Sequence, residues 1–96
     1  MAVMVVGTVE IHDSAWEREY GPKTSALIAK HGGKYLALEK QIQLLEGRDR
    51  PDAIVVLEFP TEAQAHAWYN DPEYAPMIKL RQSGAALNLL LFAKTV

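Results

Sequence analysis

Val6-Gly7-Thr8-Val9-Glu10-Ile11-His12-Asp13 and Ile54-Val55-Val56-Leu57-Glu58-Phe59-Pro60-Thr61 share one pattern: a β-prone run, a carboxylate, an apolar residue and then a residue able to cap a helix. Each reads as a strand that leads into a helix. Two strand-then-helix units in one short chain predict a split β-α-β sheet, with the two strands side by side and their ends facing the same way.

Outward from these stretches, Val3 to Ile11 is rich in β-branched residues, and Val3, Val5, Gly7, Val9 and Ile11 make one apolar or small face. Asp13 is a good N-cap for a helix that carries Trp16, Tyr20, Leu27, Ile28 and His31 roughly along one face. Gly21-Pro22 predicts a break or kink, with Pro22 opening the second half, and His31-Gly32-Gly33 ends the helix. Lys34–Leu38 and Gln41–Glu46 read as two short extended pieces forming a bent edge strand or a hairpin, followed by a polar turn from Gly47 to Asp52. Ala53–Phe59 is an almost unbroken apolar run, as expected of a central strand. Thr61-Glu62-Ala63-Gln64 is a capping-box sequence for a helix that stops near Asn70. Asp71-Pro72-Glu73 restarts a helix that places Tyr74, Met77, Ile78 and Arg81 on one face and ends at Gly84. Leu87–Ala93 is the last strand, so the predicted order is β-α-β-β-α-β.

At 96 residues the chain is expected to be one domain, 1–96, burying ~60–65% of the surface its unfolded form exposes. It has no cysteine, so a disulfide, a thiolate metal site and a cysteine nucleophile are excluded. A core of this size needs support, and a self-associating sheet face is the expected source. The net charge of −2 with ten scattered basic residues argues against a nucleic-acid partner. No apolar run approaches the ~18 residues of a membrane span, and Met1 to Val6 lacks a basic leader, so a cytoplasmic protein with no membrane partner is expected.

The chain resembles the small bacterial family catalogued as domain of unknown function 1330. The resemblance is carried by Lys30-His31-Gly32-Gly33-Lys34-Tyr35-Leu36-Ala37, Leu45-Glu46-Gly47, Arg50-Pro51-Asp52, Leu57-Glu58-Phe59-Pro60, Ala67-Trp68-Tyr69-Asn70-Asp71-Pro72-Glu73-Tyr74 and Leu80-Arg81. It covers nearly the whole length. It implies an α+β, ferredoxin-like sandwich with an antiparallel sheet, two copies of which pack face to face as a dimeric α/β barrel. It implies no activity, and proteins of this architecture range from cofactor-independent oxygenases and lactone isomerases to haem-handling enzymes and effector-binding domains.

Glu10 and Glu58 occupy equivalent places in the half-repeat and are expected to approach one another on the face away from the helices. As a pair they would split their ionisation and supply an acid and a base; alternatively each is held by a cation or an amide and fixes the subunit interface. His31 can exchange protons near neutral pH, or it caps a helix C-terminus ahead of the two glycines. His12 and His66 read as loop and exposed-helix residues, and no spacing matches a metal site. Arg81 with Tyr35, Trp68, Tyr69 and Tyr74 would form a pocket for a small acid or aromatic ligand; the aromatics equally fit ordinary core packing, and Arg81 a structural pair with Glu58 or a chain terminus. Gly32-Gly33 follows a helix and precedes a strand, the reverse of a phosphate loop, and Ser14, Ser25 and Ser83 lack a nucleophile elbow.

The expected function is therefore binding of a small organic acid or aromatic in a cleft, with no cofactor. Glu58 or His31 would move a proton, and Arg81 would orient the ligand, as in isomerisation or oxygenation of an enolisable compound. The alternative is a non-catalytic homodimer that senses a ligand or serves as an interaction module, with Glu58 and His31 saturated by structural partners and the cleft filled by Trp68 and Tyr74.

Overall fold

The computed structural model describes residues 1–96. Its elements are β1 (Val3–Ile11), α1 (Glu17–Lys30), β2 (Lys34–Glu39), β3 (Ala53–Phe59), α2 (Glu62–Tyr69), α3 (Ala75–Gln82) and β4 (Ala85–Ala93). The four strands form one antiparallel sheet in the order β2-β3-β1-β4, with β3 and β1 at its centre. This is the ferredoxin-like α+β arrangement, with the second helix divided into α2 and α3 at Asn70–Tyr74.

The half-repeat marks the two central strands, but their relative direction is the reverse of the expectation. β1 and β3 are antiparallel, with Val3 opposite Phe59 and Val9 opposite Ala53. The reason is that β2 and β3 are joined as an antiparallel pair through residues 40–52, which turns β3 back against the direction of β1 and β2. Glu58 therefore faces Met4, six positions along β1 from Glu10, or about 20 Å at ~3.3 Å per residue. The two carboxylates do not form a pair.

Alternation along the strands sorts the sheet into two faces. Val3, Val5, Val9, Leu57 and Phe59 are buried beneath the helices, where they join Leu27, Ile28, Trp68, Tyr74 and Met77 in the core. Met4, Val6, Ile54, Val56, Leu90 and Phe92 have the opposite parity and no helix over them; Leu90 is 61% exposed and Phe92 49%. With helices on one side only, the molecule is 16 Å thick in its shortest dimension.

Three local expectations change. The helix after Asp13 does not break at Pro22: α1 runs through it, and the proline ring lies on the exposed side, where water can serve the Arg18 carbonyl that loses its amide donor. The helix also starts late, at Glu17, because the His12 and Asp13 amides are held by the Gly84 carbonyl while Asp13 Oδ1 accepts the Ala15 amide at 2.9 Å. Of the two extended pieces after Gly33, only Lys34–Glu39 joins the sheet, with a bulge between Tyr35 and Ala37; Gln41–Glu46 is irregular. The end of α1 is as expected: Gly32 adopts φ +80°, and the Gly32 and Gly33 amides reach back to Ala29 and Ile28. Thr61 caps α2 through the Gln64 amide, but the Gln64 side chain donates to the His31 carbonyl at 3.2 Å instead of closing the box, joining α2 to the end of α1.

Candidate functional site

Trp16, at the N-cap of α1, and Tyr20, Thr24 and Ile28 within it recur every fourth residue and so form one stripe facing the sheet. Between that stripe, the helix-side residues of β1, β3 and β4, and the bulky side chains of α2 and α3 lies a cavity of about 520 Å³. Val55, Leu57, Leu87 and Leu89 form its apolar floor, and Trp68, Tyr74 and Arg81 its inner end. Its polar rim is Glu17 with Glu39, Lys40 and Gln41, and the Lys40 ammonium lies 2.7 Å from the Glu17 carboxylate. This is the size and mixture of walls expected of a small-molecule site.

Arg81 dominates the inner end. It is 5% exposed, and it makes no ion pair with any carboxylate. Its Nη1 donates to the Tyr74 hydroxyl at 3.0 Å and the Tyr20 hydroxyl at 3.1 Å, and those two oxygens are 2.5 Å apart. Burial works against the guanidinium charge, but the phenol oxygens of Tyr20 and Tyr74 outweigh it and hold the pKa above the usual arginine value. Burial, then the neighbouring Tyr20, pushes the Tyr74 phenol far up, so it stays protonated. The result is a buried cation whose protein partners are two tyrosine hydroxyls and no carboxylate.

Four buried polar atoms have no hydrogen-bond partner within the protein: Trp16 Nε1, Thr24 Oγ1, Trp68 Nε1 and Arg81 Nε. All four residues line the cavity. Three of these atoms can only donate, and the fourth is a hydroxyl. Each unmet buried donor costs about 1–3 kcal/mol, and the residues around the cavity leave three donors and one hydroxyl buried without a partner.

Of the residues singled out in the sequence, Arg81, Tyr35, Trp68 and Tyr74 come together on this cavity. Trp68 is also a core residue, stacked between Phe59 and Tyr74 with ring centroids 5.5 and 4.9 Å away. Tyr35 lies at the β2 side, its hydroxyl accepting from Ser25 Oγ at 3.2 Å and its pKa raised by burial. Tyr69 lies outside, on a groove of about 300 Å³ between α2 and the β1–β4 edge. Glu58 is on the opposite face of the sheet, between Lys94 at 2.7 Å and Lys34 at 3.3 Å; the Lys94 hydrogen bond lowers its pKa. It is not the partner of Arg81. His31 is remote from the cavity, its Nε2 2.8 Å from Asp71 Oδ2, which also takes Lys30 at 2.9 Å. Tyr20, Thr24 and Trp16 join the site without having been marked as ligand residues; their four-residue spacing was the available signal, obscured by the expected break at Pro22. No group of three or more His, Asp and Glu side chains is arranged to hold a metal ion, and no helix is long and apolar enough to cross a membrane.

Solved structures share this architecture. A protein of unknown function from Rhodopseudomonas palustris superposes with a TM-score of 0.86 at 18% identity, covering 99% of this chain and 83% of that one. SnoaB, a cofactor-independent oxygenase from Streptomyces nogalater, matches with a TM-score of 0.69 at 18% identity over 99% of this chain and 94% of that chain. A dimeric ferredoxin-like protein of unknown function from Thermobifida fusca gives 0.63 at 16% identity, covering 98% and 92%. These likenesses establish the fold. No curated protein matches the sequence. The family model described as domain of unknown function (DUF1330) matches residues 2–95, and the chain belongs to that family.

Proposed function

We propose that this protein binds a small organic anion, with a flat apolar body and an acceptor-only group, in the cavity between α1 and the sheet, and that it does so as a homodimer joined through its helix-free sheet face. The observation that carries the reading is Arg81: a buried guanidinium without a carboxylate is costly to keep, and here it lies at the inner end of a mostly apolar cavity. A carboxylate or enolate would supply the missing charge and accept the unused donors. Tyr35, Trp68 and Tyr74 provide the walls. Glu58 and His31 have the structural roles, Glu58 joining β2 to the chain end and His31 holding the corner before α3.

The dimer rests on the apolar residues of the free sheet face and on neighbours of the same fold described as dimeric. The reaction class suited to such a cavity is cofactor-free proton abstraction or oxygenation of an enolisable compound; the Streptomyces neighbour is a cofactor-independent oxygenase. A second reading, a ligand-sensing dimer without turnover, draws on the state of the carboxylates at the cavity mouth. Glu17 is paired with Lys40, and Glu39 accepts the Lys40 and Gln41 amides, so neither is free to serve as a base.

Titration calorimetry with benzoate and with benzamide tests the binding function. The anion should bind, the neutral amide should bind at least tenfold more weakly, and Arg81→Met should abolish the difference. Equal affinity for both probes in the unaltered protein would refute an anion site.

A further inference from the structure

Glu17, Gly21 and Ser25 lie four residues apart on α1 and form a second stripe beside the one that faces the sheet. The outer two are tied across to the β2 side: the Lys40 ammonium is 2.7 Å from the Glu17 carboxylate, and Ser25 Oγ donates to the Tyr35 hydroxyl at 3.2 Å. Gly21, between them, reaches nothing. A Cβ built there would meet no atom within 4 Å beyond its own helix backbone, although Gly21 lines the cavity. Leu38 holds the matching place on β2, between Tyr35 and Lys40; it also lines the cavity and is 67% exposed.

Neither backbone nor packing calls for glycine at position 21. The glycines with positive φ are Gly32 and Gly47, and no neighbour comes close enough to exclude a side chain. In a helix interior glycine is destabilising relative to alanine. What Gly21 provides is open space at the one edge of the cavity where α1 and β2 face each other. The two ties that frame this space are eight residues apart along α1, or about 12 Å at 1.5 Å per residue, a span that admits a flat ring.

We infer that the gap over Gly21, framed by the Glu17–Lys40 and Ser25–Tyr35 links, is the portal through which the ligand enters and leaves, and that glycine at this position sets the size of the body admitted. A planar apolar body passes between Gly21 and Leu38, and the anionic group goes on to Arg81 at the inner end. Gly21 acts on passage and not on the bound state. Narrowing a portal raises the barrier to entry and to exit by the same amount, so both rates fall while the equilibrium affinity is nearly kept; a residue that touches the bound ligand changes mainly the exit rate and the affinity.

This inference rests on the anion-binding reading, and fluorine NMR of 4-fluorobenzoate separates the two, because one titration yields the affinity and both exchange rates. Gly21→Phe, which projects a ring into the open space, should slow association and dissociation each by about tenfold and move the dissociation constant by no more than about twofold. Gly21→Leu introduces a strong helix former and should slow both rates in the same way, so the test stands even if the phenylalanine variant fails to fold. Gly21→Ala should melt at a higher temperature than the unaltered protein; a lower one would mean that the fold itself requires this glycine, and would overturn the argument. If 4-fluorobenzoate binds in an Arg81-dependent manner but neither bulky variant slows its exchange, or if affinity falls while dissociation quickens, the portal is refuted and the anion site stands. If the probe does not bind the unaltered protein, both are refuted.

Discussion

His31 Nε2 lies 2.8 Å from Asp71 Oδ2, and this contact fastens the C-terminal end of α1 to the corner between α2 and α3. Asp71 also accepts Lys30 at 2.9 Å and the Glu73 amide at 2.9 Å. The His31 hydrogen bond, the Glu73 amide and Lys30 together hold its carboxyl well below the usual range. A group whose folded-state pKa is depressed stabilises the fold above its unfolded value, here 3.8, and that stabilisation is lost as the pH falls below about 4. Thermal melts across pH should therefore show a steep acid loss that Asp71→Asn flattens, starting from a lower melting temperature at neutral pH. Parallel curves for the two proteins would contradict this role.

Arg81→Met removes a buried charge that has no acidic partner. Replacing buried ions with apolar groups of similar volume is often neutral or stabilising, so unfolding in urea should shift by no more than ~1 kcal/mol in either direction, or toward higher stability. Benzoate binding should vanish in the same variant. A loss of several kcal/mol would mean that the phenol contacts, and not a ligand, account for this arginine.

Gly84 sits where the start of β4 meets the entry to α1. A Cβ there would press on the Asp13 carbonyl oxygen, which is backbone, and approach Trp16 Cδ1 to 2.6 Å. Because the backbone cannot yield cheaply, Gly84→Ala should destabilise the protein by about 1–3 kcal/mol. Tryptophan fluorescence should report the displaced indole, and an unchanged denaturation midpoint would argue that this segment is more compliant than its packing implies.

On the free face of the sheet, Leu90 of the edge strand β4 is 61% exposed, more than Phe92 on the same strand at 49%. Leu90→Lys puts a charge into the proposed subunit interface without touching the helix-side core. Sedimentation velocity should show a dimer for the unaltered protein and a monomer for the variant, with the monomer's secondary structure retained. A monomer in both cases would overturn the barrel assembly.

Elements whose cues are local were legible. Val3–Ile11 and Ala53–Phe59 alternate or run apolar as strands must, the two glycines close α1, and Thr61 caps α2, each visible within a few residues. Pro22 misled because its cost depends on whether the freed carbonyl meets water, and that depends on which side of α1 the core occupies. Gln41–Glu46 misled because extended character does not by itself create a pairing edge.

The candidate site divided along the same line. Arg81, Tyr35, Trp68 and Tyr74 stand out by residue type and helical spacing, and they line one cavity. Glu58 and His31 stand out as strongly by type, yet one faces away from the cavity and the other is held by Asp71. Composition and periodicity thus determined which residues are apolar, which segments are strands or helices, and that no cysteine chemistry is available, because these depend on neighbours along the chain. The antiparallel order that separates Glu10 from Glu58 and the placing of Arg81 against the Tyr20 and Tyr74 hydroxyls, with no carboxylate beside it, were decided only by tertiary structure. They depend on contacts between segments far apart in sequence, for which the local pattern carries no distance.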